Sequence, residues 1–423
     1  MSTFLCRTLV AASVAAAATV MVSPSAMAAV DDERWQVDVG YGVDGLARFD
    51  EVRDRPPVVL PDGRAYLLVE RLDAESVYLV RFTPTGEVDT TFGDDGFAAV
   101  PVGPLAHLTM EAQMTGGGRR LVVAEWTTPS GATQFYRFRL DGTLDTSFGT
   151  RGIASIEVKR AMNIRDLAIR PDQSIVATGE CSNRQVHYLP CLLSLTADGA
   201  PNKNFSEDGF QLWDGMRTRD AFMTSVAVSA DGNRIYIGGH DGRFTPSWLI
   251  GAFRADGQPD LTFGRDGAVG LHPRCSGRDR SIKSLHVGPT GELVATGSRC
   301  ARTAFARVTA EGALDPEFGE DGWVTLSDRG TTSATTYDAV TRSVYWMHDG
   351  DDGNLHVGAV RPDGSLDPAF GAQRELVIDI EPGSDNFWNV GLSTDAHDRL
   401  YASAWYPVGD AVRVGIARAV KTG

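Results

Sequence analysis

The sequence contains little cysteine, and no arrangement of it that favours zinc. The five cysteines are Cys6, Cys181, Cys191, Cys275 and Cys300, and no two of them form a C-x-x-C pair. No pair of histidines accompanies them at ligand spacing, so a structural zinc site of the usual spacing is excluded. We therefore predict neither a metal ion nor a cofactor.

The chain also lacks the short motifs of common catalytic centres. It has no G-x-S-x-G elbow, no H-E-x-x-H helix and no repeated S-x-D-x-G-x-T-W box of the sialidase type. We predict no catalytic residue, and we keep a propeller hydrolase or lyase only as the weakest functional alternative.

Positive charge is in deficit. Lys and Arg number 40 against 55 Asp and Glu, which gives a formal net charge of −15. Proteins that bind nucleic acid need a basic surface for the phosphates, so a nucleic-acid partner is excluded. Docking on anionic lipid is disfavoured for the same reason. We expect a monomer whose partner is a protein, peptide or glycan.

Long apolar runs are missing except near the start of the chain. The run Leu9–Val22 is too short and too rich in alanine for a membrane span. Arg7 precedes it and Ala26-Met27-Ala28 follows it, which is the pattern of a signal peptide. We predict cleavage after Ala28, a signal peptide of residues 1–28, and export to the periplasm or the cell exterior. Cys6 precedes the run and cannot be a lipoprotein acceptor.

The most informative feature is a repeat of eleven residues. It reads GEVDTTFGDDG at Gly86–Gly96 and recurs five times, with its aromatic residue at intervals of 52–58 residues. The aromatic residues are Phe92, Phe148, Phe205, Phe263, Phe318 and Phe370. A weaker copy lies at Gln36–Gly45, where Tyr41 takes the Phe position and Asp38 the Asp position. A motif that recurs with a period of 52–58 residues indicates a solenoid or a propeller.

The sequence between the motifs predicts β-strands. Alternating apolar runs flank turn signals, as in Leu167–Gly179 and Val226–Gly239, and a short run such as Trp323–Leu326 follows each motif. No helical period is evident outside the signal peptide. Four short strands per unit are typical of a propeller blade, so the fold class is all-β.

The two ends of the chain complete one blade. Gly423 aligns with Gly86, and the motif that should follow it is supplied by Val37–Gly45. We predict that residues 29–423 form one seven-bladed β-propeller with four antiparallel strands per blade. Blade seven takes three strands from the C-terminus and its outer strand from about Val43–Asp50, which covers both open sheet edges.

The pattern P-D-G-x-x-x-x-x-G, a strand and then D-G-x-L-D-x-x-F-G-x-x-G resembles the delta-60 repeat of bacterial secreted and surface proteins. The resemblance covers essentially the whole mature chain and implies a β-propeller. It implies no activity, since the family has no defined catalytic residues to carry over. The sequence departs from the pattern at Asn202, Ser206 and Gln373-Arg374, where we expect weaker turns.

The recurring residues are interpreted as scaffold. The Asp side chain can accept backbone N–H groups, the Phe can fill the wedge between blades, and Gly permits positive φ. The run Asp349–Asn354 lacks the calcium-loop frame and is expected to be a hairpin turn. Antiparallel neighbours should bring together Cys181 with Cys191 and Cys275 with Cys300, as disulfides of an exported protein.

The candidate binding residues differ from blade to blade and fall in two sets of loops at one face of the propeller. The loops before the first strands hold Arg53, Arg55, Arg160, Arg165, Arg217, Arg219, Arg278, Arg280 and Arg329. The loops between second and third strands hold Trp126, His240, Arg299, His348 and Trp405. Arginine beside aromatic rings suits an anionic glycan or peptide.

Two alternatives to that binding site remain open. Asp54, Asp220, Asp279 and Asp328 adjoin the arginines and could pair with them instead. A structural or adhesion module of the cell envelope is then as consistent with the sequence as a ligand-binding scaffold. Two histidines on these loops also leave a metal or acid–base pair open.

Overall fold

The computed structural model describes residues 34–50, 57–71, 76–102, 107–115, 118–126, 133–157, 162–182, 188–213, 221–242, 247–272, 280–327, 334–350, 352–371, 373–381, 387–409 and 411–422. The predicted signal peptide lies outside these ranges. Within them, no helix is long and apolar enough to cross a bilayer. The one helical turn described is the 3-10 segment Pro368–Phe370.

Seven antiparallel sheets form the seven predicted blades, so the predicted fold class is confirmed. Blade one contains β3 (Val58–Val59), β4 (Ala65–Arg71), β5 (Ser76–Phe82) and β6 (Phe97–Val100). Blade two contains β7 (His107–Thr115), β8 (Gly118–Trp126), β9 (Thr133–Phe138) and β10 (Ile153–Ile156). Blade three contains β11 (Met162–Ile169), β12 (Ile175–Ser182), β13 (Tyr188–Leu195) and β14 (Phe210–Leu212). Blade four contains β15 (Phe222–Val228), β16 (Arg234–Asp241), β17 (Ser247–Arg254) and β18 (Ala268–Leu271). Blade five contains β19 (Arg280–Val287), β20 (Leu293–Arg299), β21 (Arg302–Val308) and β22 (Trp323–Thr325). Blade six contains β23 (Ala334–Asp338), β24 (Ser343–Asp349), β25 (Leu355–Val360) and β26 (Leu376–Ile378).

Blade seven joins the two ends of the chain. It contains β27 (Trp388–Thr394), β28 (Leu400–Val408) and β29 (Ala411–Thr422), and β2 (Leu46–Asp50) pairs with β29 as the predicted outer strand. A further strand, β1 (Arg34–Val37), pairs with the last residues of β29. The prediction lacked β1, which occupies the place where the other blades make the turn before their motif.

The apolar side chains pack mainly between adjacent blades. One buried cluster joins Tyr236 and Phe263 of blade four to Leu285 and Ala295 of blade five. Each motif aromatic is at most 2 % exposed, as expected of a residue that fills the wedge between two blades.

The motif Asp organises its own turn, as predicted. In all seven copies its side chain accepts the backbone N–H two residues later, at 3.0–3.2 Å. Asn202, which replaces Asp in blade three, makes the same bond to the N–H of Asn204. The substitution therefore leaves this hydrogen bond in place.

An arginine that the motif does not include ties each of four blades to the next. Arg137 Nε lies 3.0 Å from Asp145 Oδ2, and its guanidinium lies over the Phe148 ring and donates to the carbonyl of Ala197 in blade three. Arg81, Arg307 and Arg418 make the equivalent contacts with Asp, the aromatic ring and the following blade. Arg418 of blade seven makes this contact with the carbonyl of Pro84 in blade one. The same contact therefore also joins the last blade to the first.

Backbone hydrogen bonds also connect neighbouring blades, next to the motif aromatic residues. The N–H of Gly93 donates to the carbonyl of Asp141 in the next blade at 2.7 Å, and five other junctions have the same bond. The junction of blades six and seven is different, because β1 replaces the turn there. Gly371 N–H bonds to Pro368 of its own blade, and Trp35 stacks on Phe370 at 5.3 Å instead.

The Cys181–Cys191 disulfide is formed, with 5.9 Å between the Cα atoms, as predicted. Cys300 is also disulfide-bonded. Its predicted partner Cys275 lies outside the described residues, so that pairing stays a prediction.

Candidate functional site

The first strands of the seven blades surround a central channel of about 580 Å³. Residues from every blade line it. They are Pro57, Val58, Val59, Met110, Arg165, Asp166, Leu167, Ala168, Thr224, Ser225, Val226, Lys283, Ser284, Leu285, His286, Ala334, Thr335, Thr336, Gly391, Leu392, Ser393 and Thr394. The size lies within the range of sites for small ligands.

In blades three and four, polar side chains of the lining hold neighbouring strands together. Asp166 Oδ2 accepts the N–H of Val226 at 2.8 Å, and Ser225 Oγ accepts the N–H of Leu285 at 3.1 Å. Both residues follow a β-bulge in their strand, which shifts the register of the side chains there. These groups are engaged in the scaffold and are not free for a ligand.

In blades five to seven, the lining offers polar groups that are not engaged. Lys283 is exposed and makes no ion pair with any described residue. The hydroxyls of Ser284, Thr336 and Ser393 likewise have no hydrogen-bond partner within the described ranges. One ammonium and three hydroxyls on adjoining blades can together bind an anionic ligand that also carries hydroxyl groups.

His286 is a neutral group of the same wall. Its Nε2 lies 3.0 Å from Thr335 Oγ1, and its ring stacks with Tyr337 at 6.0 Å. Burial lowers the pKa of His286 to about 4. Its imidazole therefore adds a hydrogen-bonding group but no charge to the channel at neutral pH.

Most of the arginines predicted to bind a ligand cannot be placed. Arg53, Arg55, Arg160, Arg217, Arg219, Arg278 and Arg329 lie outside the described residues. Arg280 is the first residue of β19, and its side chain is not described.

Arg165 is the predicted arginine that the structure places in the channel lining. It lies on β11 rather than in a loop, with Nε 2.9 Å from Glu180 Oε2. Burial raises the pKa of Glu180 although Arg165 opposes the shift. The guanidinium is thus ion-paired, with a glutamate of its own blade rather than with an adjacent aspartate, while about half of the side chain stays exposed.

The residues predicted in the second set of loops lie on strands instead. Trp126 ends β8, His240 is in β16, Arg299 ends β20, His348 is in β24 and Trp405 is in β28. The placement in loops is corrected because these second strands run seven to nine residues, further than the apolar alternation indicated.

Several of these side chains are buried or already contact other residues of the protein. Trp405 and His348 are buried, with 2 % and 6 % exposed. His240 stacks on Phe222 and contacts Ser281 Oγ at 3.0 Å, and burial lowers its pKa. Arg299 lies over the Trp323 ring at 4.5 Å. The side chain of Trp126 is not described.

The sequence prediction did not identify the unengaged lining groups. Lys283 and Ser284 interrupt the apolar pattern between Ile282 and Leu285, which is the one signal that could have indicated them. A β-bulge between Ile282 and Ser284 brings both into the lining, and that bulge is not readable from alternation.

One comparison with known proteins, a match to a family model, agrees with the fold. A family model described as "Domain of unknown function (DUF5122) beta-propeller" matches residues 119–148, which cover most of β8, all of β9 and the motif of blade two as far as Phe148. No curated protein matches the chain.

Solved structures similar to this chain include one titled "Crystal Structure of Mitotic Checkpoint Complex". That match has 10 % identity and a TM-score of 0.48, and covers 88 % of this chain and 93 % of the other. A protein of unknown function from Dyadobacter fermentans DSM 18053 matches with 10 % identity and a TM-score of 0.41, covering 89 % and 99 %. The chain is thus similar in part to a β-propeller family of unknown function.

Proposed function

We propose that this protein is a binding scaffold that takes a small anionic ligand into its central channel. The observation that carries the proposal is the wall of blades five to seven, where Lys283, Ser284, Thr336 and Ser393 line the channel without partners among the described residues. Lys283 is exposed and the three hydroxyls are half-buried, so all four groups are accessible from the channel. A ligand that brings a carboxylate or sulfate and several hydroxyls can pair with them.

An acidic sugar fits this chemistry better than an acidic peptide. Its anionic group pairs with Lys283, and its hydroxyls both donate to and accept from the serine and threonine hydroxyls. The exposed half of Arg165 adds a second positive group at the same channel. The unplaced arginines before the first strands of the blades would extend the positive field, as the sequence predicts.

The test is a panel of uronic-acid, sulfated and neutral oligosaccharides together with acidic peptides. We expect retention of the acidic sugars, weaker at high salt because the contact is ionic. Lys283→Ala should lower the affinity about tenfold or more, since a charged hydrogen bond contributes about 1.5–3 kcal/mol. Arg265→Ala, whose side chain is 94 % exposed on the motif, is the matched control and should bind normally. Equal binding by both variants would refute the channel as the site, and binding of peptides alone would reassign the ligand class.

We further propose that the repeats are of the delta-60 type and that the chain is exported after cleavage at Ala28. The six strong motif copies support the first point. The disulfide supports the second, because disulfides persist in oxidising compartments. N-terminal sequencing of the exported protein should begin at Ala29, and an intact N-terminus would contradict the proposal.

A further inference from the structure

Two histidines and a glutamate meet at one end of blade six. His348 on β24 is paired directly with His356 on β25, and Glu375 immediately precedes β26. Residues paired on neighbouring antiparallel strands place their side chains on the same face of the sheet. One potential ligand atom from each of the three residues lies within 4.8 Å of the others.

The buried histidine carries a nitrogen with no partner in the part of the chain that the structure describes. His348 is 6 % exposed, and its Nε2 makes no hydrogen bond with any described residue. Its Nδ1 lies 2.9 Å from the carbonyl oxygen of Asp349. A carbonyl only accepts, so Nδ1 carries the proton and Nε2 has a free lone pair. Histidine ligands of metals usually have this arrangement, in which the second ring nitrogen donates to a carbonyl or carboxylate.

The other two ligands are already held together. His356 Nδ1 lies 2.9 Å from Glu375 Oε2, and His356 Nε2 lies 3.1 Å from Asp352 Oδ1. A bound ion would replace the contact between His356 and Glu375, while Asp352 meets the other ring nitrogen of His356 and can orient that ring. The hairpin between β24 and β25 thus lies beside the imidazoles of His348 and His356.

We propose that His348, His356 and Glu375 bind a divalent transition metal, with zinc as the expected ion. Two imidazoles and one carboxylate are a donor set that zinc accepts, with a fourth position for water. Calcium and magnesium prefer oxygen ligands alone, so they are not expected to compete. This site is separate from the channel wall, and it modifies the prediction that the chain binds no metal.

The experiment measures zinc binding to the mature chain of residues 29–423 after treatment with a chelator. We expect one zinc per chain by equilibrium dialysis, with calcium and magnesium giving none. His348→Gln and Glu375→Gln should each weaken zinc binding at least tenfold. His397→Gln, a change at an exposed histidine, should leave it unchanged.

Cobalt supplies a second readout, because the intensity of its visible absorption reports low coordination number and nitrogen ligation. The wild type should give the intense spectrum, and Glu375→Gln should lose it. Glu375 is only half-buried, so this variant decides the matter even if His348→Gln fails to fold. Absence of stoichiometric binding, or binding that survives Glu375→Gln with an unchanged cobalt spectrum, would overturn the proposal.

Discussion

Single arginines contribute to the stability of the ring. Arg137 is a clear case, because its side chain is 4 % exposed and bonds to Asp145, Ser147 and a carbonyl of the next blade. Truncating one partner of a buried ion pair leaves the other charge uncompensated. The residues that recur in the repeat and the arginine that accompanies them therefore act as scaffold.

We expect Arg137→Ala to lower the free energy of unfolding by about 2–4 kcal/mol. The cost stays below the upper range for buried pairs because Arg139 lies 3.6 Å from Asp145 and can partly compensate. Denaturant unfolding measures the change, with Arg265→Ala as a control expected within about 0.5 kcal/mol of wild type. A loss for Arg137→Ala as small as that of the control would mean that the pair does not stabilise the ring.

His286 should make stability depend on pH. Its folded pKa of about 4 lies below the ordinary value of 6.5, so the unfolded chain takes up the proton first as the pH falls. The stability linked to neutral His286 is complete above pH 6.5 and is lost as the pH falls towards 4. Between pH 7 and pH 5 the wild type should lose about 2 kcal/mol more than His286→Asn. Parallel pH profiles of the two proteins would contradict this.

At the scale of elements, the turn before six of the seven motifs packs tightly on the preceding blade. Gly142 has φ of 88°, and a Cβ there would lie 2.7 Å from the backbone nitrogen of Gly93. That nitrogen donates the hydrogen bond that connects blade one to blade two. The glycine is therefore required both by the backbone conformation and by the close approach of the two blades.

Gly142→Ala should cost about 3 kcal/mol, from backbone strain together with loss of the bond between blades. Gly409→Ala is a matched comparison, because Gly409 has φ of 60° but no atom of another described residue lies within 4 Å of its added Cβ. The second change should cost only the strain, about 1 kcal/mol. Thermal or denaturant unfolding separates them, and equal costs would show that the approach of the blades is not tight.

The elements also show where sequence reasoning fails. Turn signals and alternation predict the four strands of a blade, because turns need specific residues. Alternation does not reveal the bulges beside Asp166 and Ser284, which decide what faces the channel. Nor does it reveal how far second strands extend, so His348 and Trp405 were predicted in loops and lie in strands.

At the scale of the whole molecule, the blade number follows from the sequence because seven copies of one motif must share one ring. The cross-blade contacts of Arg137 and the meeting of His348 with Glu375 do not follow. Each joins residues that are distant in the chain, and the register that brings them together is set by the assembled sheets. The channel wall is a similar case, since it combines Lys283 and Ser284 of blade five with single residues of blades six and seven.

The ring is closed by strands from both ends of the chain, which meet in blade seven. Val37 is paired with Ala419 in β1 and β29. The adjacent pair exchanges a hydrogen bond from Asp38 N–H to the Arg418 carbonyl, so Val37 and Ala419 form the close, non-bonded pair that suits a disulfide.

The measurement that tests closure most directly is a disulfide map of Val37→Cys/Ala419→Cys in the chain of residues 29–423. Digestion without reduction, followed by mass spectrometry, should show a peptide that links Cys at position 37 with Cys at position 419. Val37→Cys with Val412→Cys, seven residues away on the same strand, should give no such link. Free thiols in the first variant, with the native Cys181–Cys191 bond intact, would contradict the closed seven-bladed ring.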